Sequence, residues 1–310
     1  MRRRQSPVTP AQRPGNLRPA PSTHDRARPR TPASPPPHHS RTARPPPTTA
    51  APYAPTPPPY GAPAPAPVLV AVAHGSRDPR APRTVRALLD RVRDLRPGLD
   101  VRLAHIELNA PLLPDTLDGL RGAGAVLVPL LLGRGHHVKR DLPAATAAAP
   151  AVRTRIAEPL GPHPLLVEAL HERLLDAGWA PADRGDPRTA VVLASAGSRD
   201  PDSARDTRRS ARLLAARLGV PVVPAYASAA APTVPAALRA LAARGRHRAF
   251  VASYFTAPGR FASACAAAVP HRAAAPLGDH QATARLVLHR YDRALSANAP
   301  ADTVTLLASA

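Results

Sequence analysis

The chain carries the same half-domain twice, and this duplication limits its architecture more than any other feature of the sequence. His74-Gly75-Ser76-Arg77-Asp78-Pro79 recurs as Ala196-Gly197-Ser198-Arg199-Asp200-Pro201, each time after an apolar run, at an offset of 122. Ala104…Pro111-Leu112-Leu113-Pro114…Leu117 recurs as Ala225…Pro232-Thr233-Val234-Pro235…Leu238, and Pro159-Leu160-Gly161-Pro162-His163 as Pro276-Leu277-Gly278-Asp279-His280. Three ordered matches at nearly one offset define copies at 67–179 and 188–296. A Pro- and Gly-containing linker at 180–187 joins them, and a tail at 297–310 follows.

Within the first copy, apolar periods of two kinds alternate. Val68 to Ala73 reads as a buried strand, and Val85, Leu88, Leu89, Val92 and Leu95 have helical spacing over 81–95. Strands are expected near 101–106, 125–132 and 152–157. Helices are expected on Leu113, Leu117 and Leu120, from about Asp141, and over 164–176. Alternating strand and helix predicts an α/β fold in each copy, with a parallel sheet covered on both faces and functional groups on loops at the strand C-termini.

Residues 1–66 are of another kind. They hold 20 of the chain's 43 prolines, 10 arginines and one acidic residue, a composition that cannot bury a core, so a disordered N-terminal tail is expected. Of the net charge of +21, +9 falls in that segment and +12 in the remainder. So basic a chain invites a nucleic-acid reading. Aromatic content of 3% and the lack of a recognised binding motif count against nucleic acid, leaving a polyanionic small molecule as the other partner for the charge. With Cys265 as the single cysteine there is no disulfide framework and no Cys-based metal site, as suits a reducing cytoplasm. No apolar run reaches the roughly 20 residues of a membrane span and the first residues do not form a signal peptide, so a soluble cytoplasmic protein without membrane contact is expected.

The two copies serve as each other's comparison. Gly75, Ser76, Arg77, Asp78 and Pro79 are kept in both, the Asp and Pro as a turn and helix start, with Gly75 and Ser76 able to offer backbone donors to an anion. His74 becomes Ala196 and Glu107 becomes Ser228, while His137 falls opposite Arg260 or its neighbour. Three groups able to bind a metal or carry a proton, each just after a strand, have thus been lost from the second copy. Two imidazoles and a carboxylate suit a divalent ion such as Fe²⁺, Co²⁺ or Ni²⁺ and accept protons near neutral pH. His136 stands beside His137, and either ring could point inward. His105 reads as packing, His163 and His280 as helix starts because both copies keep one, and Cys265 as a small buried residue.

His74-Gly-Ser-Arg-Asp-Pro, Glu107-Leu-x-x-Pro111 and Gly135-His136-His137-Val138-x-x-Asp141-Leu-Pro143 together resemble the sirohydrochlorin chelatases of the CbiX/SirB type. Pro258-Gly259-Arg260-Phe261, in place of the His loop, is similar to their two-half form. The resemblance covers about 68–295. It implies a chelatase-like fold of two parallel-sheet α/β halves facing a cleft, and a lyase that inserts a divalent metal, iron for sirohaem or cobalt for cobalamin, into sirohydrochlorin with no cofactor beyond that metal. By position His74 and His137 would be the catalytic histidines and, with Glu107, the metal ligands, the spacing to Val138-x-x-Asp141 favouring His137 over His136. Ser76, Arg77, Arg134, Lys139, Arg199 and Arg260 would meet the substrate carboxylates. With both halves in one chain, a monomer is expected. The competing reading is a tetrapyrrole or metal carrier that binds without turnover.

Overall fold

The computed structural model describes residues 66–297. The expected disorder of 1–66 lies outside the described residues apart from Ala66, as does the tail 297–310 apart from Ala297.

The first half runs β1 (Val68–Ala73), α1 (Arg80–Leu95), β2 (Val101–His105), α2 (Leu113–Asp118), β3 (Gly124–Pro129), α3 (Leu142–Ala147), β4 (Arg153–Ile156) and α4 (Pro164–Asp176). The second runs β5 (Thr189–Ser195), α5 (Pro201–Leu218), β6 (Val222–Tyr226), α6 (Val234–Ala242), β7 (Arg248–Ser253), α7 (Arg260–Ala266) and α8 (Gln281–Ser296). Every strand pair is parallel, in the orders β2-β1-β3-β4 and β6-β5-β7. The second sheet has an isolated bridge, Val251 to Ala273, where the first has β4.

Alternation along each central strand assigns its two faces. Leu69, Ala71 and Ala73 share one core with Val191 and Leu193, together with residues of α1, α4, α5 and α8. Val68, Val70 and Val72 face α2 and Leu142, while Ala190, Val192 and Ala194 face α6 and Cys265 of α7. The middle core is therefore common to both halves. The last helix of each half reaches across it, α4 packing on α5 and β7, and α8 on α1 and β3. Neither sheet is covered on its inner face by its own half alone, which ties the duplicated units into one body.

Local chemistry accounts for the element starts. His163 and His280 cap α4 and α8, each Nδ1 accepting from the backbone N–H two residues on, at 3.2 and 3.1 Å. Ser76 Oγ accepts from the Asp78 N–H and Ser198 Oγ from the Asp200 N–H, both at 3.1 Å, so the retained Ser and Asp shape the turn into α1 and α5. Gly75 and Gly197 have φ of 104° and 89°, and a Cβ at either would lie 1.9 Å from the carbonyl oxygen of Glu107 or Ser228. Glycine is required there by conformation and by contact.

Three details differ from the sequence reading. The third strand ends at Pro129, although the Leu130 N–H still donates to Val72 O. A π-helical turn, His137–Asp141, precedes α3, so helical structure starts at His137 and not at Asp141. The 180–187 segment is anchored: a 3-10 turn at Pro181–Asp183 buries Asp183, which accepts from the Ala180 N–H and from Arg248.

Candidate active site in the cleft between the halves

Three first-half residues converge because of strand order. β1 is central, with β2 on one side and β3 on the other, so the loops leaving β1 and β3 diverge at a topological switch point, where open parallel sheets form their crevice. The register pairs Ala73 with His105. The next residues continue side by side, the Glu107 N–H donating to His74 O at 3.0 Å. The loop after β3 returns over the same edge and places the His137 ring 4.6 Å from the His74 ring, edge to face. His74 Nε2 lies 3.4 Å from Glu107 Oε1.

The hydrogen bonds define how these groups can react. His74 Nδ1 lies 3.2 Å from Gly75 O, and His137 Nδ1 lies 2.5 Å from Asp141 Oδ2. Both oxygens accept, so each Nδ1 is assigned as N–H and each Nε2 is the nitrogen left to face the cavity groups. His74 Nε2 faces a carboxylate oxygen 3.4 Å away. A proton on Nε2 or a cation between the two groups satisfies this contact. Among the described residues no group of three or more His, Cys, Asp and Glu side chains is arranged to hold a metal ion.

Asp141, which the sequence reading treated only as a motif position, is in contact with His137. Its spacing from His137 was visible, but only the π-turn brings the carboxylate onto Nδ1. The turn also separates the neighbouring imidazoles: the His136 side chain is 74% exposed, 3.7 Å from Asp141, and its ring lies 6.3 Å from that of His137.

These groups line a cavity of about 720 Å³ with walls from both halves. First-half residues His74, Ser76, Arg77, Glu107, His136 and His137 face Ser195 to Ser198, Ser228, and Phe255 to Ala262. The second half repeats the backbone without the reactive groups. Ser228 N–H and Oγ both donate to Ala196 O at 3.0 Å where Glu107 meets His74, and Gly259-Arg260 starts α7 where His136-His137 starts the π-turn.

The basic residues divide into two sets. Arg134 and Lys139, expected from the sequence to bind substrate, are ion-paired to the second half and are not among the residues that line the cavity. Arg134 donates from its backbone N–H, Nε and Nη2 to the buried Asp206, at 3.0, 3.0 and 2.7 Å, and Lys139 donates to Asp200 and Asp202 at 2.8 Å. Both contacts fasten the His loop to α5, and each carboxylate partner holds the cation's pKa up. Arg77, Arg199 and Arg260 are exposed and have no ion pair among the described residues; of these Arg77 and Arg260 line the cavity, Arg260 stacking on the Phe261 ring at 4.8 Å. The Ser76 N–H is taken by Asn109 Oδ1 at 2.6 Å, so it is not free for an anion. His105 is buried against Pro111 O, and burial pushes its pKa down.

Two pseudo-equivalent parallel-sheet halves, facing a cleft whose imidazoles and carboxylate come from one half, define a chelatase-like α/β protein. The chain belongs to the CbiX family, whose model matches residues 68–177 and 190–294. It is 30% identical over 169 residues to the sirohydrochlorin ferrochelatase of Bacillus subtilis (strain 168), and 27% identical over 200 residues to the sirohydrochlorin cobaltochelatase of Priestia megaterium. These alignments cover 52% and 61% of this chain and 63% of each relative. The same fold is found in SirB from Bacillus subtilis with Fe3+, at a TM-score of 0.62 and 23% identity over 73% of this chain and 94% of that one. It is found again in CbiX, the terminal enzyme of sirohaem biosynthesis in denitrifying bacteria, at a TM-score of 0.53 and 23% identity over 72% and 98%. No described helix is long and apolar enough to cross a membrane.

Proposed function

We propose that the protein inserts a divalent metal, iron or cobalt, into sirohydrochlorin, acting as a cytoplasmic monomer. The observation that carries this reading is the pair of imidazoles His74 and His137, with ring centroids 4.6 Å apart beside Glu107, in a cavity of about 720 Å³. Insertion removes two pyrrole N–H protons and gives the ring nitrogens the metal in exchange for its earlier ligands. Neutral imidazoles suit both tasks, as transient ligands and as proton acceptors. Asp141 fixes the His137 tautomer and orientation, as outer carboxylates do for ligating histidines. Arg77 and Arg260, on opposite walls and without carboxylate partners, answer the acetate and propionate groups of the substrate.

Placing His74, Glu107 and His137 on loops of one half, with Ala196 and Ser228 at the matching positions of the other, favours turnover over storage, because a carrier gains from closed coordination and a metal that must leave does not. The test is anaerobic incubation of the protein with sirohydrochlorin and Fe²⁺ or Co²⁺, followed by visible absorption. Metallation many times faster than the uncatalysed rate is expected. A spectrum that changes only in proportion to the protein present would mean binding without catalysis.

A further inference from the structure

We propose that Leu108, at the rim of the cleft, is a specificity-determining contact for an apolar face or edge of the flat tetrapyrrole; this rests on the function proposed above. Leu108 follows Glu107 directly and lines the cavity, yet it is 50% exposed, the largest exposure among the big apolar residues described. Its backbone is left-handed, with φ of 68°. Exposure and a positive φ are each unfavourable for leucine, and glycine or asparagine would relieve both. What points to a ligand is the exposed leucine side chain at the mouth of the cavity, kept where the backbone disfavours it.

The second copy supplies the comparison. Ala229 occupies the same place after Ser228, with φ of 56°, and does not line the cavity. The turn therefore takes this conformation in both halves and tolerates a methyl group, so the leucine side chain is not needed to form it. What Leu108 adds is an apolar surface beside Glu107 and His74, with Phe261 on the facing wall. A polycarboxylate substrate needs such surface as well as arginines, since its ring is apolar and only its substituents are charged.

The test is equilibrium titration of the full chain with metal-free sirohydrochlorin, read by the absorption of the macrocycle, in wild type, Leu108→Ala, Leu108→Met and Ala229→Gly. Leu108→Ala is expected to bind roughly five- to thirtyfold more weakly, the effect of losing partial burial of one leucine. Leu108→Met should stay within about threefold of wild type, and Ala229→Gly should bind as wild type. Leu108→Gly, which also relieves the backbone, should bind as weakly as Leu108→Ala while melting no lower than wild type. Wild-type affinity in Leu108→Ala and Leu108→Gly overturns the role of Leu108 alone. A wild-type chain that fails to bind sirohydrochlorin overturns the function on which that role rests.

Discussion

At the scale of the residue, the arrangement turns on which imidazole of the His136-His137 pair holds its free nitrogen toward His74. Asp141 binds His137 Nδ1 at 2.5 Å and stands 3.7 Å from His136 Nε2, so His137 is the oriented ring. His137→Ala is expected to lower the insertion rate by about 10²-fold or more, the usual effect of removing a general base, and His136→Ala by less than about tenfold. Initial rates at saturating sirohydrochlorin and metal decide it; a larger loss in His136→Ala would reverse the assignment. His74, Glu107 and His137 were legible in the sequence because the duplicated half lacks all three. Asp141 was not, since no period marks a π-turn. The partners of Arg134 and Lys139 were hidden for another reason: Asp206, Asp200 and Asp202 lie 61 to 72 residues further along the chain and meet them only when the halves close.

At the scale of the element, repeated turns carry the fold, and two of them make measurable predictions. His163 caps α4 through an unprotonated Nδ1, and burial together with Arg290 pushes its pKa down to about 4. The unfolded chain takes up this proton near pH 6.5, so the cap's contribution is complete above pH 6.5, falls as the pH drops toward 4, and is constant below. Denaturant midpoints measured between pH 7 and 4 should therefore fall less steeply in His163→Asn, which keeps a capping oxygen and cannot titrate. An unchanged slope would remove the cap from the pH dependence. His105 and His171, whose pKa values burial also lowers, add to the slope, and near pH 4 so do ion-paired aspartates such as Asp183 and Asp200, whose pKa values are held down.

Gly197 is the second case. Its Cβ would meet Ser228 O at 1.9 Å with φ at 89°, so Gly197→Ala is expected to cost about 3 kcal/mol and lower the Tm by roughly 6–12 °C. A Tm within about 2 °C of wild type would show that the turn relaxes freely. Strands and helices were legible as periodic runs, 164–176 to the residue. The missing fourth strand of the second sheet was not, because its place is held by the single Val251–Ala273 bridge, which leaves no period.

At the scale of the whole molecule, duplication followed by divergence leaves His74, Glu107 and His137 in the first half only. The halves share one core through the exchanged helices α4 and α8, so the cleft is a fixed feature of the fold, and α5 clamps the His loop through Asp200, Asp202 and Asp206. The two-half architecture was legible from the repeat. The exchange of the last helices was not, since an amphipathic helix fits either sheet and its pattern does not say which. The proposed function assigns the chemistry to the first half and the holding of substrate to the second. One set of anaerobic insertion kinetics tests this division, giving the maximal rate and the half-saturating sirohydrochlorin concentration for wild type, His74→Ala and Arg260→Ala. His74→Ala should lose about 10²-fold in maximal rate with half-saturation little changed. Arg260→Ala should raise half-saturation several-fold to a hundredfold, the range for one charge-assisted contact at a partly exposed site, with the maximal rate largely kept. A maximal rate lost in Arg260→Ala and kept in His74→Ala would contradict that division of labour.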